Sequence, residues 1–120
     1  MNKLEKIEVF KKRTKEFALK VIELYRELPK NDESRIIGKQ LLRSATSVAA
    51  NYRAACRARS DAEFFSKISI VVEEADESLF WLEIILESGI MGKNRINNLM
   101  TESEEIVKIV NTIRHKMKSK

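Results

Sequence analysis

Proline and glycine are scarce in this sequence, with one proline and three glycines in 120 residues. A β-sandwich or barrel needs many more turn-forming residues than that. Cysteine is as rare as proline. Cys56 stands alone, which rules out an intrachain disulfide and fits a reducing cytoplasm. The single histidine, His115, and the lack of any Glu-x-x-His pair remove the ligand set of a di-iron helical bundle. No metal or other cofactor is expected. No apolar run approaches the roughly 18 residues of a membrane span. The opening stretch MNKLEKIEVFKKR is charged and has no signal-peptide apolar segment. Glycine-rich phosphate loops and G-x-S-x-G elbows are also missing.

What is present is charge and helical periodicity. Hydrophobic residues make up 43% and charged residues 34%, the balance of a folded helical domain rather than a disordered chain. A single domain of this length can bury a real core. The net charge of +5 is unevenly spread: residues 1–30, 31–60 and 91–120 each carry +4, whereas residues 61–90 carry −7. One acidic segment among three basic ones suits pairing within a bundle and leaves surplus positive charge on the surface.

Four segments keep the three–four spacing of an amphipathic helix. The first spans about 4–28, with Ile7, Phe10, Thr14, Phe17, Val21, Leu24 and Leu28 on one stripe. Pro29 ends it, and Asn31, Asp32 and Ser34 can cap the second, about 34–57. That second segment has two adjacent stripes, one through Leu41, Ser44 and Val48 and one through Ala45, Tyr52 and Cys56. Two stripes mean burial on two sides, and their small residues allow close helix approach. Ser60 and Glu63 form a capping box ahead of the third, about 61–88, which Gly89 and Gly92 terminate. The fourth spans about 94–117, with Thr101 and Glu104 as a capping box that could start it later and HKMKSK expected to fray. The fold class is all-α, an antiparallel up-and-down four-helix bundle in one domain over residues 1–120, with helices two and three each about 36–42 Å long.

The stretch "LLRSATSVAANYRAACRARS" raises the functional question. Arg43, Arg53, Arg57 and Arg59 appear where bulky apolar residues give out. Pairing with the acidic third segment explains some of them, and Arg43 or Arg53 is expected to meet Glu74 or Glu77. Contact with nucleic-acid phosphate is the other reading, as is a subunit interface. Cys56 near Arg53 and Arg57 could be a lowered-pKa nucleophile, or simply a small buried residue. The carboxylates Glu73, Glu74, Asp76, Glu77 and Glu83 have no companion group for acid–base chemistry. Of the adjacent aromatics Phe80 and Trp81, one is expected outside the core.

Three stretches carry a resemblance: "RTKEFALKVIELYRELPK", "GKQLLRSATSVAANYRAACRARS" and "EFFSKISIVVEEADESLFWLEIILESG". Within them the pattern Q-L-x-R-x-x-x-S-x-x-A-N is met by Gln40, Leu41, Arg43, Ser47, Ala50 and Asn51. R-S-x-x-E-F is met by Arg59, Ser60, Glu63 and Phe64. The chain resembles the bacterial four-helix-bundle proteins named for the 23S ribosomal RNA intervening sequence. The resemblance implies a ring-like homopentamer and no enzymatic activity. It also extends to the accessory protein of diversity-generating retroelements, a basic pentamer that binds nucleic acid and partners a reverse transcriptase.

The sequence is therefore read as a cytoplasmic, non-enzymatic homo-oligomer that binds RNA or DNA. Lys11, Lys12, Arg13 and Lys15 would meet phosphates, with Arg53, Arg57 and Arg59 as a second patch. Such contacts are electrostatic and poorly sequence-specific. The alternative is a protein-interaction scaffold with no nucleic-acid role, in which the arginines only hold the bundle together.

Overall fold

The computed structural model describes residues 1–118 and contains four helices, α1 (Lys3–Glu27), α2 (Asp32–Cys56), α3 (Asp61–Glu87) and α4 (Lys93–Lys118). Each packs on its chain neighbours, and α1 closes the ring against α4. This is the up-and-down bundle, 46 Å in its longest dimension. The linkers 28–31, 57–60 and 88–92 are too short for anything but antiparallel neighbours.

Local chemistry fixes the helix ends. Asn2 and Asn31 cap α1 and α2 through side-chain oxygens that accept the Glu5 and Ser34 N–H groups at 2.8 and 2.9 Å. Ser60 caps α3 by accepting the Glu63 N–H at 3.1 Å, and Glu63 reaches back to the Arg59 N–H at 3.4 Å. Gly89 leaves α3 with φ +80°, the left-handed conformation that terminates a helix. Gly92 has a different use from the one its spacing suggests: its carbonyl accepts the Arg95 and Ile96 N–H groups and opens α4. The Thr101–Glu104 pattern is not a helix start. Both residues lie inside α4, whose first turns are anchored by the fully buried Ile96 and by Leu99. At the other end α4 continues to Lys118, past the point where fraying was expected; Ser119 and Lys120 lie outside the described residues.

The core follows the stripes. Phe17, Val21 and Leu24 from α1 meet Leu41, Ala45 and Val48 from α2, Ile68, Val71, Leu82 and Ile85 from α3, and Ile96, Ile106 and Val110 from α4. Small residues bring α2 and α3 together most closely. Ser78 Oγ donates to Ser44 Oγ at 2.9 Å, and Ser44 Oγ donates to the Leu41 carbonyl at 3.1 Å, so two buried hydroxyls are satisfied across that interface. The second stripes of α2 and α3 stay half-exposed at Leu42, Ala49, Val72, Leu79 and Leu86. Phe80 points outward at 48% exposure, edge-on to the half-buried Trp81 at 4.9 Å.

Candidate nucleic-acid interface

Antiparallel packing brings the first halves of α1 and α3 and the second halves of α2 and α4 to one end of the bundle. The charge that looked scattered along the chain is thereby sorted. Residues 1–14, 45–73 and 106–118 carry 13 Lys and Arg against five Asp and Glu, a net +8. Residues 15–44 and 74–105, which form the opposite half, carry nine against 13, a net −4.

Within the basic half the cations differ in what they are free to do. Arg53, Arg57 and Arg59 are exposed, and among the described residues none is in an ion pair. Lys12 is likewise exposed and unpaired, and so is Lys15 at the waist of the bundle. Lys11 is partly covered and lies 3.0 Å from Glu8. Arg114 is engaged: Nε donates to Ser69 Oγ at 2.9 Å and the guanidinium sits 4.9 Å from the Phe65 ring centroid.

Arg13, expected at phosphate, is held by two carboxylates of α4. It donates through Nε to Glu102 Oε2 at 2.7 Å and through Nη2 to Glu102 Oε1 at 2.6 Å and Glu105 Oε1 at 2.9 Å. These hydrogen bonds hold the guanidinium charged well beyond its ordinary range. Arg13 is thus a strut between α1 and α4. Nothing local in the sequence pointed to this, because the partners are 89 and 92 residues away.

Arg43 is the second strut. Its Nη1 donates to Glu74 Oε2 at 2.7 Å, and its Nη2 donates to Glu77 Oε2, which also accepts from Trp81 Nε1 at 3.2 Å. Burial works to raise the Glu74 carboxyl, but hydrogen bonds from Arg43 and Ser47 outweigh it and leave the group below its usual value. Asn51 Nδ2 in turn donates to Ser47 Oγ at 2.9 Å. Arg43, Ser47 and Asn51 thus form a ladder along one side of α2 that ties it to α3. Arg53, also expected in that pairing, takes no part.

Burial pushes the Cys56 thiol up, and the adjacent Tyr52 hydroxyl and Lys11 only partly counter it. A raised thiol is the reverse of an activated nucleophile. Among the described residues no group of three or more His, Cys, Asp or Glu is placed to hold a metal ion, and no helix is long and apolar enough to cross a membrane.

The sequence model described as 23S rRNA-intervening sequence protein matches residues 5–112, a span that takes in nearly all of the four helices. The chain belongs to that family. A crystal structure of a protein of unknown function from the S23 ribosomal protein family of Bacteroides thetaiotaomicron VPI-5482 is similar in sequence and shape. It is 34% identical, with a TM-score of 0.80, over 87% of this chain and 96% of that one. No curated protein matches the chain. In this intervening-sequence protein the most recognisable motif residues, Arg43, Ser47 and Asn51, serve the α2–α3 contact. The exposed arginines follow them, Arg53 in the last turn of the same helix and Arg57 and Arg59 in the linker after it.

Proposed function

We propose that this protein is a cytoplasmic, non-enzymatic accessory protein that self-associates, as the homopentamer of the family resemblance, and binds RNA or DNA through its basic end. The observation that carries the reading is the set of exposed, unpaired Arg53, Arg57 and Arg59 on the half of the bundle with net +8. Lys12, Lys15 and, more partially, Lys11 extend the patch; Arg13 is left out of it because its charge is met by Glu102 and Glu105 through Nε and Nη2. Unpaired guanidiniums suit phosphate, which they can meet bidentately. Phe10 and Tyr52, the aromatics at this end of α1 and α2, are buried, and Phe64 and Phe65 at the start of α3 are half-buried, so contact with the nucleic-acid backbone dominates over base stacking.

The test is binding of a labelled structured RNA across a salt series, with Arg53/Arg57/Arg59→Ala alongside. A log–log slope of about −3 or steeper, flattened in the variant, is the expected result. No binding at about 50 mM salt would sink the reading. The scaffold alternative has its own support in the outward Phe80 and the half-exposed second stripes of α2 and α3, which a neighbouring subunit or protein would cover. Light scattering at low and high salt separates the two: an apolar interface keeps its mass in salt, while a phosphate complex dissociates.

A further inference from the structure

The α1–α4 seam is clamped at two levels. Arg13 holds Glu102 and Glu105, and Arg95 holds Glu27 through Nε and Nη2 at 2.8 and 2.7 Å. Beyond Arg13, towards the basic end, no ion pair links the two helices among the described residues, and an open groove of about 650 Å³ lies between them. Its floor is apolar: Ile7, Phe10, Ile109 and Ile113. Its rim is Lys3, Lys6, Lys108 and Lys116, all exposed and none in an ion pair among the described residues. No carboxylate lines it.

We infer that this groove docks a short amphipathic helix of a partner protein, apolar on one face and acidic along its flanks. Each wall is itself a helix, and a trough between two helices is the shape a third helix fills. Lys3 to Phe10 spans about 10 Å and Lys108 to Lys116 about 12 Å at 1.5 Å per residue. That length matches apolar anchors at i, i+4 and i+7. Lysines stand on both walls, so carboxylates on both flanks of the incoming helix would find partners. Nucleic acid fits the floor poorly. Phe10 and Tyr52 are 7% and 3% exposed and offer no ring face, and Thr112 is the one neutral polar side chain on hand besides Tyr52. The inference does not depend on the RNA-binding reading, because Arg53, Arg57 and Arg59 do not line the groove.

The test uses a fluorescein-labelled peptide of about 14 residues, long enough for helix to form, with Leu at i, i+4 and i+7 and Glu on the flanks. Two controls replace Leu by Ala and Glu by Lys. The expected result is saturable binding by the first peptide alone, methyl NMR shifts confined to Ile7, Ile109 and Ile113, and a loss of about tenfold or more in Lys108→Glu/Lys116→Glu, or about 1.4 kcal/mol. That variant changes only exposed side chains, and its melting curve checks the fold. Equal binding by either control, shifts elsewhere, or no saturation at about 1 mM would overturn the inference. So would displacement of the peptide by dodecanoate or by phosphatidylglycerol vesicles at lower concentration than by unlabelled peptide, which would assign the groove to a lipid. RNA binding, set mainly by Arg53, Arg57 and Arg59, should fall less in the lysine variant than peptide binding does; a larger loss of RNA binding would assign these lysines to RNA instead.

Discussion

Arg13 and Glu102 face each other across the α1–α4 seam in a two-pronged ion pair, with N···O distances of 2.7 and 2.6 Å. The seam is the loosest contact of the bundle, so a fork-to-fork pair matters more here than on a well-packed face. Both side chains are roughly two-thirds covered, which reduces screening by solvent.

Arg13→Ala should therefore destabilise the fold by about 1–2 kcal/mol, more than an exposed pair and less than a buried one. Arg53→Ala, with no partner, should stay within about 0.5 kcal/mol. Urea unfolding of the two variants checks this. The same pair sorts function from structure: Arg53→Ala should weaken RNA binding, and Arg13→Ala should not while the fold holds.

Acid should release the Arg43–Glu74 strut. Against the opposing effect of its burial, the Arg43 guanidinium and the Ser47 hydroxyl hold the folded Glu74 carboxyl below the ordinary glutamate value. A depressed carboxylate contributes stability that is complete above the unfolded pKa and fades as pH falls through the folded one. Arg95 lowers Glu27 in the same direction. The stability difference between wild type and Arg43→Met should accordingly hold steady from about pH 7 to 5 and shrink towards pH 3. A difference that survives undiminished at the acid end would mean that packing of the arginine stem, not the ion pair, carries the effect.

The hydroxyl pair between α2 and α3 gives a non-additive prediction. Ser78→Ala removes the donor to Ser44 and should cost about 1 kcal/mol. Ser44→Ala/Ser78→Ala removes both buried hydroxyls and should cost less than the two single changes added together. Ser78→Leu should cost about 1–3 kcal/mol or more, because the helices touch at that level. Chemical denaturation of the four proteins closes the cycle, and strict additivity would contradict the observed hydrogen bond.

These relationships show where the sequence was readable. The four helices, the stripes and the Ser60–Glu63 cap are written in nearest-neighbour spacing, which fixes them before any tertiary contact. Arg43 with Glu74 and Glu77 was within reach because α2 and α3 are joined by a short linker that sets their register. Arg13 with Glu102 and Arg95 with Glu27 were not, since α1 and α4 meet only when the ring of helices closes. The Thr101–Glu104 pattern misled because a cap motif has no knowledge of the buried Ile96 one and a half turns upstream, which keeps the chain helical from Lys93. The lysine-rimmed groove arises from the same closure, and the sorting of charge into two halves from antiparallel packing.

The two glycines between α3 and α4 look alike in sequence and should behave oppositely. Gly89 sits at φ +80°, where a Cβ clashes with its own backbone; Gly92 is outside that region. Neither has a neighbouring atom within 4 Å of an added Cβ, so tertiary packing cannot confuse the comparison. Gly89→Ala should cost about 1–2 kcal/mol from left-handed strain. Gly92→Ala should be neutral or stabilise by about 0.4–1 kcal/mol, by restricting the unfolded chain. Thermal melts of the two variants decide it. Equal destabilisation would mean that Gly92 is also needed for its backbone freedom, and that the start of α4 is as conformationally demanding as the end of α3.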